Sequence, residues 1–357
     1  MYKNTAVICF SKVNGGMELA AVKLARLLSE DQKIYFLARE NGFIEQRKKE
    51  HFSDYNIKLK KLNFKFRMNP LTILEIRSYI KEKNIKNVIY LGVSDVSTLY
   101  FSFLNLNVNF IIRQGSYKTT SKKTWFKKLI YSGVNSYVAN CEYIKNNIED
   151  IFPLNEKTLL TRVYSSLKLL DIKREEKISN RLELIHVGRI NEMKGQLEAI
   201  KACSVLYENN IDFRFQILGD FQDKSYYEEI LKYLESCEYK DKIELLGYKS
   251  NVIDHLIKAD IFLFPSKLEG MSNAIIESLG YGLIPIIYDN SSSSEFADFG
   301  FFLHLVEDGD EQAFVDTLLS CANNFEIENK NIDSNMLLAR KVFAPYREKC
   351  EYHNLLS

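Results

Sequence analysis

Residues 259–285 have the sequence ADIFLFPSKLEGMSNAIIESLGYGLIP, and this stretch decides the fold that the chain predicts. The short apolar run Ile261–Phe264 is typical of a buried parallel strand, and Pro265 ends it. A helical pattern follows at residues 273–279, with Ser272 placed to cap it. A strand, a tight turn and a helix in this order are the repeating unit of a doubly wound α/β fold.

Two glutamates lie eight positions apart in this stretch. Glu269 falls in the turn, and Glu277 lies about a turn and a half inside the helix. Between them, the backbone N–H groups at 270–272 stand at the positive end of the helix, which favours an anion. Two carboxylates around an anion site suit a ligand with hydroxyl groups at both ends and phosphate in the middle, such as a nucleotide sugar. The alternative is a capped surface helix with two solvated carboxylates.

The rest of the chain repeats this organisation. A predicted strand, the Gly15-Gly16 turn and an amphipathic helix open the chain, as in a doubly wound domain. The two glycines let the backbone approach a ligand closely, although the pair also fits a simple tight turn. A polar link without periodicity at residues 167–180 separates this domain from a second unit that begins at residues 182–187.

Charged residues flank the first strand of the second unit, where residues 188–195 have the sequence GRINEMKG. Arg189 lies at the strand end and Lys194 at the start of the next helix. An arginine can bind two phosphate oxygens at once, and a lysine supplies a mobile point charge. The pair therefore predicts a phosphate-binding strand end.

The size of the chain, 357 residues, predicts two domains, and its apolar content of 46% is enough for two cores. No run of about 18 apolar residues is present, so no membrane-spanning helix is expected. The N-terminal apolar run is too short for a secretory signal. The six cysteines are scattered, which argues against zinc and disulfides and for a reducing cytoplasm.

The five histidines do not cluster in the sequence, and the spacings H-x-E and H-E-x-x-H are absent. No protein metal site is therefore predicted. His186 lies in a predicted strand and is expected to be a core histidine.

The net charge of +1 hides an uneven distribution. Residues 1–165 hold 27 Lys and Arg against 14 Asp and Glu, a net of +13, whereas the remainder has a net of −12. The first half is therefore expected to face something anionic, namely a membrane surface, a lipid diphosphate or nucleic acid. No recognised nucleic-acid-binding module is present, so nucleic acid is not a predicted partner.

The basic half contains the segment 118–131, with the sequence KTTSKKTWFKKLIY. It places five lysines around the only tryptophan of the chain, a pattern that can lie on anionic lipid. The alternative is a packed helix whose lysines are solvated. The membrane-surface candidates are Lys122, Lys123, Trp125, Phe126, Lys127 and Lys128.

Three motifs together resemble one known family: VGRINEMKG, LGY at 246–248, and the stretch 259–285. They are similar to those of the retaining glycosyltransferases with the GT-B fold and the E-x7-E motif, and the match covers about residues 182–300. The N-terminal VNGGMELAAVKLARLL resembles the glycine loop and first helix of that family.

The resemblance implies an α/β GT-B fold, in which two Rossmann-like doubly wound domains face a cleft and a C-terminal helix crosses back to the first domain. Residues 1–165 would bind the acceptor and residues 166–335 the nucleotide-sugar donor. Residues 336–357 would form a helical tail that packs on the N-terminal domain.

The resemblance also implies roles for single residues. Arg189 and Lys194 would hold the diphosphate, Glu277 the ribose hydroxyls, and Glu269 would stabilise positive charge at the anomeric carbon. Gly16 would let the first domain's loop close over the diphosphate. The predicted catalytic residues are Glu269, Arg189 and Lys194, and the other predicted donor-binding residues are Gly16, Gly188, Tyr248, Gly270, Met271, Ser272 and Glu277.

One position departs from the family pattern. Many relatives have a histidine near the donor sugar where this chain has Gln114, and a glutamine can hydrogen-bond a hydroxyl group but cannot titrate. Gln114, Gly115 and Ser116 are therefore the candidates for the acceptor and sugar side of the site.

The hypothesis is a cytoplasmic, metal-independent, retaining glycosyltransferase without a cofactor, peripheral on the inner face of the cell membrane. It would move a hexose or N-acetylhexosamine from a UDP-sugar to a lipid-linked glycan in bacterial surface polysaccharide biosynthesis. One alternative is a catalytically silent partner of another transferase, which the absent histidine motivates. The other is a nucleotide-sugar epimerase on the same fold.

Overall fold

The computed structural model describes residues 3–12, 15–64, 66, 68–170, 180–221 and 223–357. The chain divides into two compact units, each with its own sheet. The first unit comprises Met1–Ser165 together with Pro345–Ser357, and the second comprises Ser166–Ala344.

The first unit contains a seven-stranded parallel sheet. Its strands are Thr5–Cys9 (β1), Ile34–Arg39 (β2), Ile57–Leu62 (β3), Asn87–Leu91 (β4), Asn109–Gln114 (β5), Ser136–Ala139 (β6) and Leu159–Arg162 (β7). Its helices up to the end of β7 are Gly16–Ser29 (α1), Phe43–Gln46 (α2), Lys48–Phe52 (α3), Pro70–Glu82 (α4), Val96–Phe103 (α5), Trp125–Tyr131 (α6) and Glu142–Ile151 (α7).

The spatial order of these strands is β3-β2-β1-β4-β5-β6-β7. Strands β1 and β4 are buried along their whole length, because helices cover both faces of a parallel sheet. The order reverses between β1 and β4, and doubly wound folds bind their ligands outside the carboxyl ends of the strands at such a point. The carboxyl end of β4 is therefore a position to search for a ligand site.

The second unit contains a six-stranded parallel sheet of order β10-β9-β8-β11-β12-β13. Its strands are Leu182–Val187 (β8), Phe213–Leu218 (β9), Ile243–Gly247 (β10), Ile261–Phe264 (β11), Ile284–Asp289 (β12) and His304–Glu307 (β13). Its helices are Gln196–Ala202 (α8), Ser204–Glu208 (α9), Lys224–Glu235 (α10), Val252–Leu256 (α11), Asn273–Gly280 (α12), Ser293–Asp298 (α13), Glu311–Asn323 (α14), Phe325–Glu328 (α15) and Ile332–Val342 (α16). The order of this sheet reverses between β8 and β11.

The last helix, Pro345–Leu356 (α17), returns to the first unit, as predicted. The side-chain amide of Asn87 donates to the Leu356 carbonyl over 2.9 Å, and that of Asn109 donates to the Leu355 carbonyl over 2.8 Å. Tyr352 is completely buried in the core of that unit.

The predicted start of the returning tail at residue 336 is wrong. Helix α16 belongs to the second unit, because the Asn335 amide donates to the Phe302 carbonyl over 2.7 Å and Phe343 packs on Phe301 with ring centroids 6.0 Å apart. The tail that packs on the first unit begins at Pro345.

Two further predictions concern the link and the membrane. Residues 171–179 of the predicted link lie outside the described residues. No helix in the described part of the chain combines the length and the hydropathy that crossing a bilayer requires.

Candidate active site

The contact that defines the candidate site is an ion pair between the Lys194 ammonium and the Glu269 carboxylate. Lys194 ends a short 3-10 turn after β8, and Glu269 lies in the turn after β11. The two residues therefore meet at the carboxyl edge of the second sheet, at the point where its strand order reverses. Their side chains are only 18% and 14% exposed, so water screens this pair less than a surface pair.

The Glu269 carboxylate is held from several elements. The hydroxyl of Ser266, which follows β11, donates to its Oε1 over 2.8 Å. The amide of Asn290, which follows β12, donates to the Ser266 carbonyl over 2.7 Å, and the Glu269 N–H donates to the Ser291 hydroxyl over 3.4 Å. Sequence reasoning missed Ser266, Asn290 and Ser291, because they join Glu269 through the ends of neighbouring strands.

Two residues determine the backbone course around Lys194. Gly195 has a φ of +69°, and a Cβ atom on it would stand 2.1 Å from the Pro265 carbonyl oxygen. Nε2 of His186 donates to the Lys194 carbonyl over 2.9 Å. The Lys194 backbone is thus fixed between β8 and the end of β11.

His186 is completely buried, which confirms the prediction of a core histidine. Burial lowers the pKa of its imidazole to about 4. The ring is therefore neutral at physiological pH and positions Lys194 without carrying charge.

The start of helix α12 corrects one prediction. Ser272 occupies the N-cap position, but its side chain makes no capping hydrogen bond. The first N–H groups of the helix are thus not satisfied by that hydroxyl, and groups of this kind can bind an anion. Met271 and Ser272 are buried, and Gly270 is half-buried and accepts at its carbonyl from the Ser292 hydroxyl over 2.8 Å.

The remaining donor-side candidates of the second unit lie after β8 and β10 and on α12. Arg189 is exposed directly after β8, next to Gly188, and its carbonyl accepts from the Gln196 amide over 3.0 Å. Glu277 is half-buried on α12, and Tyr248, after β10, is 70% exposed. The structure brings Lys194 and Glu269 into contact, whereas the roles predicted for the other residues stay predictions.

The first unit carries the predicted sugar-side residues at the carboxyl end of β5. Gln114 is 3% exposed, and its amide nitrogen donates to the Ser116 carbonyl over 3.2 Å. Its Oε1 is buried and has no hydrogen-bond partner among the described residues. Gly115 and Ser116 are exposed. Gly16 begins α1, and the closure over the diphosphate predicted for the glycine loop stays a prediction.

Asn140 is a polar residue of this edge that sequence reasoning missed. It follows β6, whose register pairs Gln114 with Ala139, and its Oδ1 is also buried without a partner among the described residues. Two buried amide oxygens at the ends of neighbouring strands can accept hydrogen bonds from ligand hydroxyl groups. The sequence predicts a strand at residues 137–140, so the place of Asn140 at the end of that strand was the available signal.

The membrane-surface candidates lie on and before α6. Trp125 is 79% exposed and Phe126 37% exposed, whereas Ile130 and Tyr131 are buried. Among the lysines, the half-buried ones are Lys122 and Lys127, and the exposed ones are Lys123 and Lys128.

One group in the described part of the chain has the residue types of a metal site. The ligand atoms of His304, Cys321 and Glu328 lie within 4.8 Å of one another. His304 begins β13, so the group lies at the amino edge of the sheet, opposite Lys194 and Glu269. Burial and a hydrogen bond with Glu328 raise the pKa of the Cys321 thiol, which disfavours the thiolate that binds metal. Metal independence of the reaction stays a prediction.

Comparison with known proteins finds a family model that matches the second unit. Residues 169–335 match the family model described as glycosyl transferases group 1. The match lies within the second unit, Ser166–Ala344. The predicted retaining, E-x7-E subdivision of that family stays a prediction.

Two relatives illustrate the similarity. The capsular polysaccharide biosynthesis glycosyltransferase CapH of Staphylococcus aureus is 25% identical over 322 residues, which cover 83% of this chain and 86% of CapH. The N-acetylgalactosamine-N,N'-diacetylbacillosaminyl-diphospho-undecaprenol 4-alpha-N-acetylgalactosaminyltransferase of Campylobacter jejuni is 28% identical over 213 residues, 55% of this chain and 56% of that enzyme.

The solved structures confirm the fold. HepE of Anabaena, in complex with UDP and glucose, matches with a TM-score of 0.82 at 13% identity over 99% of both chains. Together with the two parallel sheets, this likeness confirms the predicted GT-B fold of two Rossmann-like domains.

Proposed function

We propose that this chain is a retaining glycosyltransferase that moves a hexose or an N-acetylhexosamine from a UDP-sugar to a lipid-linked glycan. The reaction would serve bacterial surface polysaccharide biosynthesis at the cytoplasmic face of the membrane. The observation that carries the proposal is the largely buried contact between Lys194 and Glu269, at the switch point of a sheet from a glycosyltransferase family.

The charges of this site fit the chemistry of the transfer. The bond between the anomeric carbon and the donor phosphate breaks, and negative charge grows on the departing diphosphate. Lys194 and Arg189 stabilise that charge together with the uncapped start of α12, and they do so more strongly in the transition state than in the ground state. Glu269 stabilises the positive charge that develops at the anomeric carbon.

The proton balance needs no separate base. The acceptor hydroxyl forms the new glycosidic bond, and its proton passes to the phosphate oxygen that leaves. Gln114 cannot titrate, so its part is to hold a sugar hydroxyl. In this proposal the cationic side chains take the place that a metal ion has in other transferases.

The choice of substrates rests on the relatives. HepE was solved with UDP and glucose, and the name of the Campylobacter enzyme states a diphospho-undecaprenol acceptor. The positive charge of residues 1–165 suits an acceptor that carries phosphate in a membrane.

The test is transfer of radiolabelled sugar from a panel of UDP-sugars into bacterial membrane lipid extract. We expect label to enter the lipid phase with one UDP-sugar, and Glu269→Gln or Lys194→Gln to lower the rate on the order of a hundredfold. Lys194→Gln should also weaken UDP binding, measured by calorimetry, by about tenfold.

The matched controls come from Lys224 and Glu228, which form an exposed ion pair of the same types, 85% and 63% exposed. Lys224→Gln and Glu228→Gln should leave transfer unchanged. Full activity in Glu269→Gln and Lys194→Gln would contradict the proposal. Release of an altered UDP-sugar without any acceptor would favour an epimerase instead.

A further inference from the structure

The first unit contains a cleft of about 240 Å³ at the carboxyl end of β4. It lies at the point where the strand order of that sheet reverses, the position at which doubly wound sheets bind ligands. No predicted donor-side residue lines it. The side chains that line it include Met68, Ser94, Ser97, Lys122, Lys127 and Tyr131.

The polar lining of this cleft suits an anion with several oxygens. Lys122 and Lys127 both reach it and are half-buried, and the hydroxyls of Ser94 and Ser97 add hydrogen-bond donors. Among the described residues, no carboxylate side chain lines the cleft. Lys127 forms no ion pair with a described carboxylate, so a bound anion would supply its counter-charge.

The two lysines are held in place by the fold. The Lys122 N–H donates to the Ile151 carbonyl over 2.7 Å, which fixes the segment before α6 against the end of α7. Lys127 lies on α6, which is anchored by the buried Ile130 and Tyr131.

Exposed apolar side chains occur on the segments that supply the lining. Met68, which lines the cleft, is 38% exposed, and Leu71, at the start of α4, is 72% exposed. On α6, which supplies Lys127, Trp125 and Leu129 are 79% and 49% exposed. Exposed tryptophan and leucine beside lysines are typical of a surface that lies at the headgroup level of a bilayer.

We infer that this cleft binds the diphosphate of a prenyl-diphosphate-linked acceptor. The prenyl chain leaves the cleft past Met68 and α6 into the bilayer. The acceptor sugar extends along the carboxyl edge toward the next strands, where the unpartnered oxygens of Gln114 and Asn140 lie. The inference rests on the proposed function, because it assigns the binding site of the acceptor in that reaction.

The test measures binding of the full chain to phosphatidylcholine vesicles that contain undecaprenyl diphosphate. The comparison vesicles contain phosphatidylglycerol instead, in the amount that gives them the same total negative charge. A third sample contains soluble pyrophosphate and neutral phosphatidylcholine vesicles. We expect the vesicles with undecaprenyl diphosphate to bind about tenfold more tightly than the charge-matched ones, because hydrogen bonds to charged groups add to the general attraction.

The matched pair of variants is Lys127→Gln and Lys128→Gln, which remove the same charge from neighbouring residues of one helix. Lys127 lines the cleft, and Lys128 is exposed outside it. Lys127→Gln should lose about the whole tenfold preference for undecaprenyl diphosphate, and Lys128→Gln should keep it. Both variants should weaken binding to phosphatidylglycerol vesicles equally.

Three outcomes would overturn the inference. They are equal binding of the two vesicle types, equal loss of the preference in the two variants, and binding of soluble pyrophosphate as tight as that of the lipid. None of these measurements uses a sugar donor or turnover. The calorimetric titration with UDP tests the donor site separately, so failure of the acceptor cleft and failure of the proposed function give different results.

Discussion

Lys194 contacts Glu269 because two neighbouring residues hold the Lys194 backbone in place. The His186 ring donates a hydrogen bond to the Lys194 carbonyl. The next residue, Gly195, has a left-handed φ, and its backbone packs directly against the Pro265 carbonyl. Neither neighbour is among the predicted donor-binding residues. Both act on the site by holding the lysine backbone.

Gly195→Ala should therefore destabilise the chain strongly. A left-handed φ costs an alanine about 1–2 kcal/mol, and its Cβ would also collide with the Pro265 carbonyl oxygen. We expect a loss of at least about 3 kcal/mol in the free energy of unfolding, measured in urea, because backbone must shift to relieve the collision.

Gly247→Ala is the control, since Gly247 has a φ of +64° but no atom within 4 Å of the position that a Cβ would take. It should cost only the conformational part, about 1 kcal/mol. Equal losses in the two variants would show that the collision with Pro265 does not matter.

The buried imidazole of His186 predicts a dependence of stability on pH. The pKa of this imidazole is about 4 in the folded chain, whereas the pKa of an exposed histidine is 6.5. Between these two pH values the unfolded chain therefore binds a proton that the folded chain does not bind. The free energy of unfolding should fall between pH 6.5 and 4, by at most about 1.4 kcal/mol per pH unit, and level off below that range.

His186→Gln keeps an N–H donor for the Lys194 carbonyl but does not titrate. Urea unfolding at pH 7.5, 6 and 5 should therefore show a shallower fall for this variant than for the unchanged chain. Identical slopes would mean that His186 is not the group responsible.

At the scale of elements, α17 is a structural part of the first unit although it follows the second unit in the chain. Its buried face carries Tyr352 and Leu356, and Glu348 is completely buried there, with its carboxylate 3.6 Å from the Lys23 ammonium. Removal from water of one aromatic and one aliphatic side chain stabilises this helix on the first unit. The Lys23 ammonium supplies the counter-charge that the buried Glu348 carboxylate needs.

Tyr352→Ala and Tyr346→Ala test this arrangement within one helix. Tyr352 is completely buried, and its loss should cost about 3 kcal/mol of unfolding free energy through the cavity that it leaves. Tyr346 is 74% exposed, and its loss should stay within about 0.5 kcal/mol. Urea midpoints of the two variants give the comparison, and a similar cost for both would contradict the packing of α17.

At the scale of the whole molecule, charge and binding chemistry divide between the two units. The half with a net charge of +13 contains the lysine-lined cleft, and the half with −12 contains the Lys194–Glu269 pair. Each proposed site lies where the strand order of its own sheet reverses. The proposed reaction thus assigns one anionic substrate to each switch point.

The local sequence was sufficient for the elements around the proposed donor site. The apolar run before Pro265, the turn at Glu269 and the pattern of α12 predicted a strand, a turn and a helix, and the structure has them as β11 and α12. Such elements are predictable because burial on a sheet and helical periodicity act on neighbours in the chain.

Tertiary structure alone decided which distant residues meet. It joined Ser266 to Glu269, brought Cys321 to His304, placed Lys122 and Lys127 at one cleft, and divided the C-terminal helices at Pro345 between the two units. A sequence pattern records which face of an element is buried, but the partner across that face depends on strand order and register. Those are set by the packing of the whole unit, so no local stretch of this chain contains them.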